Sequence, residues 1–204
     1  MLFSTIFSLL AASTVLAQTP PGFFPNTTTN LVVKYGSKTL TPGQSLGKAD
    51  TGKAPILGTT DGPLNGTYIF VMIDIDLWVE LKFAYQPTNS FRPPQGSNKN
   101  RGVVLHGLLT GYKSATTLKD GIYQLTTTAT GPSSYFAPAP PAEKPAWPHH
   151  YIELLYAQPD NFKVPASQTA TINSRLNFNI TAFATEAKLG PLLRANYFLQ
   201  VNGA

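Results

Sequence analysis

Two runs of the chain alternate without leaving a face for solvent. In YIFVMIDID, Tyr68 to Asp76, the residues Ile69, Val71, Ile73 and Ile75 interleave with Phe70, Met72, Asp74 and Asp76. A period of two puts these sets on opposite faces of a strand, so the carboxylates form a same-face pair at the strand's exit. In HHYIELLYA, His149 to Ala157, the residues His149, Tyr151, Glu153 and Leu155 share one face, and His150, Ile152, Leu154 and Tyr156 share the other. Pro148 stops anything helical before it. The pattern predicts further strands at Leu31 to Tyr35, Val103 to Leu109 and Tyr123 to Leu125. Helical spacing is clear only over Ile180 to Leu189, where Ile180, Phe183, Ala184 and Ala187 form one stripe. Asn179 is placed to cap that helix and Gly190-Pro191 to end it. The fold class expected is mainly β, an antiparallel sandwich with a short C-terminal helix docked on it.

Composition narrows this picture. The 204-residue chain opens on an apolar segment, Leu2 to Leu16, that closes on the small residue Ala17. This reads as a signal peptide over residues 1–17, removed to leave a secreted, extracellular protein that begins at Gln18. The segment falls short of the ~20 apolar residues of a membrane span, and no other run approaches that length. Residues 18–204 are then expected to form a single domain. With no cysteine, packing rather than disulfides has to hold it together. Asn26, Asn65 and Asn179 head Asn-x-Thr triplets and are glycosylation acceptors in an exported chain. The formal charge is +5, but charged residues make up only 12% of the chain. Lys38, Lys48, Lys53, Lys82, Lys99, Arg101 and Lys113 are scattered rather than clustered among aromatics, so no nucleic-acid partner is expected.

Several catalytic motifs fail on inspection. Gly47 to Ala54 has the spacing of a phosphate-binding loop, yet Ala54 stands where a Ser or Thr belongs and Pro55 follows where a helix should run. There is no Gly-x-Ser-x-Gly elbow and no cysteine nucleophile. A hydrolase using His149 or His106 as base stays open as an alternative, although nothing singles out a serine. Neighbouring His149 and His150 point to opposite faces and cannot easily share an ion, so no metal and no cofactor is expected. What Asp74, Asp76, His106, His149 and Tyr151 do suit is a small polar pocket. Imidazole and phenol groups can hold phosphate oxygens while carboxylates receive an ammonium. The plainer alternative is that the aspartates bond loop backbone and the histidines are structural.

These features together resemble the phosphatidylethanolamine-binding protein family, which includes the Raf kinase inhibitor-like proteins. The residues that carry the resemblance are Asp74-Ile75-Asp76 after a hydrophobic strand and Val104-Leu105-His106-Gly107-Leu108. The Pro-rich Ala137 to Pro141, then His149-His150-Tyr151 with ELLYAQP, and the tail from Phe178 to Val201 complete it. The tail looks like the family's closing helix and short strand. The resemblance implies that Asp74, Asp76, His106, His149 and Tyr151 gather at one rim, with backbone from Ala139 and Pro140, to bind a phospholipid headgroup or other small anion. It implies binding rather than catalysis, with a protein partner, as in protease or kinase inhibition, as the alternative. The departures are Ile75 in place of a proline, Leu77-Trp78 beyond it, and His150 in place of an arginine. The insert Ala142 to Trp147 is expected to cover part of the pocket mouth. His150, on the opposite face, is expected to stay outside the site.

Overall fold

The computed structural model describes residues 17–78 and 101–203. The signal-peptide reading lies outside the described residues except for Ala17. Among the described residues the strands run β1 (Val32–Tyr35), β2 (Lys38–Thr39), β3 (Gln44–Ser45), β4 (Ile56–Thr59), β5 (Tyr68–Trp78) and β6 (Arg101–Ser114). They continue as β7 (Tyr123–Thr126), β8 (Pro132–Ser133), β9 (His149–Ala157) and β10 (Arg194–Gln200), with helices α1 (Thr169–Ser174) and α2 (Ile180–Glu186) between the last two.

The mainly β class holds, whereas the expected antiparallel sandwich is not confirmed. Hydrogen bonds join the strands into one open sheet in the order β2-β1-β4-β7-β6-β5-β9-β10-β3, with β8 branching from β6. The sheet curls. Val33, Tyr35, Leu57 and Leu125 from the β1, β4 and β7 limb pack onto Phe70, Met72, Tyr112, Tyr151, Leu155 and Phe198. The long β6 carries the chain around the curl, pairing with β5 along most of its length and with β7 only through Lys113 and Ser114. Gly111 lies just before that change of partner with φ +72°. This left-handed state costs glycine little, and a Cβ there would meet Thr127 Oγ1 at 3.3 Å.

β5 and β9 follow the predicted alternation because both of their faces are covered. Phe70 lies opposite Leu155 and Asp74 opposite Tyr151 in their ladder. The second face, with Ile69, Val71, Ile73, Ile152, Leu154 and Tyr156, is roofed by Ile172, Phe178, Ile180 and Phe183. Each such side chain taken fully from water contributes about 1.5–3 kcal/mol before the entropy of ordering it is charged. These two buried strands are therefore the frame on which the polar ends are hung.

The helix begins as predicted, with Asn179 Oδ1 accepting from the Ala182 amide at 3.0 Å. It ends earlier than Gly190. Lys188 takes φ +55°, its amide donates to Thr185 O at 3.1 Å, and the Leu189 amide donates to Ala184 O at 2.8 Å. That pair of bonds satisfies the last carbonyls and stops the helix with a lysine where glycine is usual. Besides the two-residue strands β2, β3 and β8, α1 and β4 lie outside the predicted set, each for an evident reason. α1, TATINS, has one buried apolar residue, Ile172, among β-branched and polar neighbours of weak helix propensity. β4 is a four-residue run interrupted by Gly58. No helix among the described residues is long and apolar enough to cross a membrane.

Candidate functional site

The exit of β5, the middle of β6 and the start of β9 meet at one end of the frame. His149 Nδ1 lies 2.7 Å from Asp74 Oδ2. The His106 ring stands edge-on to Tyr151, 5.1 Å between centroids, and Tyr151 stacks on Phe198 at 5.0 Å. Asp74, His106, His149 and Tyr151 are all buried, so four of the predicted site residues come together.

Asp76 departs from the prediction. The β5–β6 register slips between Asp74 and Leu77, and strict alternation ends at such a bulge. The Asp76 carboxylate takes the His150 amide at 2.9 Å and the His150 Nδ1 at 2.7 Å on one oxygen, and the Trp147 Nε1 at 3.0 Å on the other. The expected same-face pair is thus divided, one carboxylate to each histidine, and His150 is part of the assembly rather than apart from it. The two halves stay joined by the Asp76 amide, which donates to Asp74 Oδ1 at 2.8 Å. In the Pro-rich loop Ala139 is exposed and Pro140 buried. The Pro140 carbonyl is taken by Asn202 Nδ2 at 2.9 Å, and among the described residues neither Ala139 nor Pro140 bonds to Asp74, His106 or His149.

Two residues outside the predicted site complete it. Arg101, which opens β6, grips Glu143 through both Nη atoms at 2.7 and 2.8 Å. The Glu143 Oε1 also lies 3.2 Å from His149 Nε2. Arg101 donates to the Asp76 carbonyl at 2.7 Å and lies 4.8 Å over the Trp147 ring. A chain of alternating charge therefore runs Arg101, Glu143, His149, Asp74. The available sequence signal was the insert, whose sole acid is Glu143, six residues before the first histidine of β9.

Electrostatics separate the two imidazoles. Burial opposes charge on His149, but the bond to Asp74, its charge, and the further carboxylates of Glu143 and Asp76 outweigh this and hold the pKa above the usual histidine value. Burial lowers that of His106, only partly offset by the Phe136 carbonyl. That carbonyl lies 2.7 Å from His106 Nδ1. A carbonyl only accepts, so Nδ1 carries the proton and neutral His106 keeps its lone pair on Nε2. Burial, followed by the Asp74 charge, pushes the Tyr151 hydroxyl far up, so it stays protonated. Arg101 holds the Glu143 carboxyl below the usual range. Burial works against ionised Asp76, but the His150 and Trp147 bonds prevail and lower its pKa. The arrangement offers a cationic donor, a neutral acceptor and a phenol side by side. Among the described residues no three acidic or imidazole side chains gather in a metal-binding arrangement.

Comparison with known proteins agrees with this frame. A relative 29% identical over 214 aligned positions, covering 98% of each chain, is phomoidride biosynthesis cluster protein N of Talaromyces stipitatus. Among solved structures, carboxypeptidase Y inhibitor complexed with its cognate proteinase superposes with a TM-score of 0.55 at 20% identity, covering 87% of this chain and 85% of that one. The solution structure of CG7054 follows at 0.52 and 24%, covering 85% and 86%. At these identities the two structures speak for the fold alone. The model of the phosphatidylethanolamine-binding protein family matches residues 27–198, which takes in β1 to β9, β10 as far as Phe198, and Asp74, Asp76, Arg101, His106, Glu143, His149 and Tyr151. The chain belongs to the phosphatidylethanolamine-binding protein family.

Proposed function

We propose that this chain is exported and serves as a non-enzymatic binding protein for a small anionic group, either a phospholipid headgroup or another small anion. The observation that carries the reading is the imidazole pair: His149, whose two ring nitrogens both face carboxylates, and His106, whose Nδ1 faces a carbonyl, with the Tyr151 ring in contact with both. Such a set can donate to phosphate oxygens and accept from a headgroup ammonium. Asn26, Asn65 and Asn179 are all exposed, as glycosylation of an exported chain requires. Recovery of a mature N-terminus at Gln18 from culture medium is the expected sign of export, and Met1 on extracellular protein would contradict it.

Calorimetric titration with phosphoethanolamine tests the binding reading. Affinity is expected to weaken as pH rises through the elevated His149 pKa, and His149→Ala to weaken it by about tenfold or more, the scale of one charge-assisted bond. No heat from the parent chain at any pH would end the reading. A protein partner is the second reading, favoured by the exposed Phe136 ring, 51% accessible, which stacks on His106. Arg175 lies 5.7 Å from that ring, and Leu176 beside it is 50% accessible. Inhibition of a serine carboxypeptidase that is lost with Phe136→Ala would support this reading, and absence of inhibition would remove it.

A further inference from the structure

Glu143 enters the site alone. Pro141, Ala142, Lys144, Pro145 and Ala146 around it are exposed, yet its own side chain is 1% accessible and that of its partner Arg101 is 5% accessible. One carboxylate has been inserted from a surface loop into the fork of a buried guanidinium, with the charged His149 touching the same oxygen. The holders belong to the sheet, Arg101 on β6 and His149 on β9, whereas the held group belongs to the connection between Pro140 and β9. Arg101 is further fixed by the Asp76 carbonyl and by Trp147, so the fork keeps its place whatever fills it.

We propose that Arg101 and His149 form an oxyanion seat, that Glu143 is its tethered occupant, and that the ligands of this site are carboxylate or phosphate groups that displace Glu143. This rests on the anion-binding reading above and specifies how the ligand enters. The present occupant sets the class: a carboxylate fills the buried guanidinium fork and touches His149, so a ligand that takes its place must bring oxygens to the same donors. The planar fork selects two oxygens at a fixed spacing, which carboxylate and phosphate offer and a halide does not. A tethered competitor acts at an effective concentration on the order of millimolar, and the apparent affinity of a free ligand falls by the fraction of chains whose seat is open.

The test is Glu143→Ala in the mature chain, titrated with acetate, inorganic phosphate and phosphoethanolamine, and melted with and without each anion at matched ionic strength. The variant is expected to bind at least one of these about tenfold or more tightly than the parent does. Its melting temperature should drop and then recover with that anion but not with sodium chloride, while the parent's stays nearly fixed. Acetate, phosphate and phosphoethanolamine arms distinguish a free organic acid, a bare phosphate and a headgroup as the natural source. If the parent binds and Glu143→Ala binds no tighter, the tethered occupant is overturned while the binding reading stands. If acetate rescues and binds the variant but phosphoethanolamine binds neither chain, the seat stands and the headgroup reading falls. If no anion binds or rescues the variant, the seat is overturned. Should Glu143→Ala fail to fold, Glu143→Gln, which keeps an oxygen for Arg101, is judged by the same criteria. Lys144→Ala, on the exposed part of the loop, should match the parent throughout.

Discussion

Glu153 sits at the centre of β9 with no solvent contact, opposite Met72 of β5 on one side and Asn196 of β10 on the other. One of its oxygens receives the Tyr35 hydroxyl at 2.7 Å, and the other has no hydrogen-bond partner. Burial pushes its pKa from the usual 4.5 up to about 8, against the small opposing effect of the Tyr35 bond. The folded protein therefore holds a neutral acid here, whereas the unfolded chain ionises near the ordinary value. A group with a raised folded pKa contributes stability that is complete below its unfolded pKa and is lost as pH rises through the folded one. At about 1.4 kcal/mol per pH unit, the interval from 4.5 to about 8 amounts to roughly 5 kcal/mol, a large share of the stability of a domain. Glu153→Gln is neutral at every pH, nearly the same size, and keeps the oxygen that Tyr35 needs. Urea unfolding of both chains at pH 5, 6.5 and 8.5 should then show near parity at pH 5. By pH 8.5 the variant should be ahead by a few kcal/mol. His149 and His106 titrate in both proteins and cancel in the difference. Parallel stability profiles across this range would refute the neutral buried acid.

Three further outcomes follow from the packing and the site. Phe183→Ala, at a fully buried ring of α2, should lose about 3–5 kcal/mol in urea unfolding, and a loss under about 1 kcal/mol would mean that the helix is not docked on the sheet. Gly111→Ala puts a side chain at φ +72° and 3.3 Å from Thr127 Oγ1. It should cost about 1–2 kcal/mol, read as a lower melting temperature, and an unchanged melt would place the curl of β6 elsewhere. His150→Ala removes a bond that depresses the Asp76 pKa, so carboxyl-carbon NMR should find Asp76 titrating higher. Its contribution, present above the ordinary aspartate range and lost as pH falls through the depressed value, should shrink. An unmoved Asp76 would contradict the pairing.

The frame was legible in the sequence because burial on both sides leaves a strand no freedom of register. A slip of one residue in Tyr68 to Asp74 or in His149 to Tyr156 would put Phe70 or Leu155 where Ile69 or Leu154 belong. Asp74, His149 and Tyr151 inherit their positions from that constraint. The alternation gave out at Asp76, where the ladder slips between Asp74 and Leu77 and the side chain answers to local partners, Trp147 and His150, rather than to the pleat. Glu143 and Arg101 were hidden for a different reason. Their meeting depends on the path of a connection and on the far end of a neighbouring strand, and neither leaves a periodic trace. The helix stop at Lys188 is similar, since hydrogen bonding to Ala184 and Thr185 overrode the glycine and proline two residues on.

The position of β10 bears on how the chain is made. It lies between β9 and β3, runs parallel to β3, and through Ala195 takes up the backbone of Thr29 and Leu31 near the start of the domain. Asn196, in the same strand, holds the carbonyls of Leu31 and Leu40. β3 and the backbone of Thr29 and Leu31 therefore wait for a partner far along the chain. Until Arg194 to Gln200 emerge, β9 keeps an open edge and the segment around β3 has no partner in the sheet, so this side of the sheet closes after the rest. Closure by such distant pairing is slow. A chain cut short before Arg194 would carry the bare β9 edge permanently, and exposed edges of that kind recruit other chains.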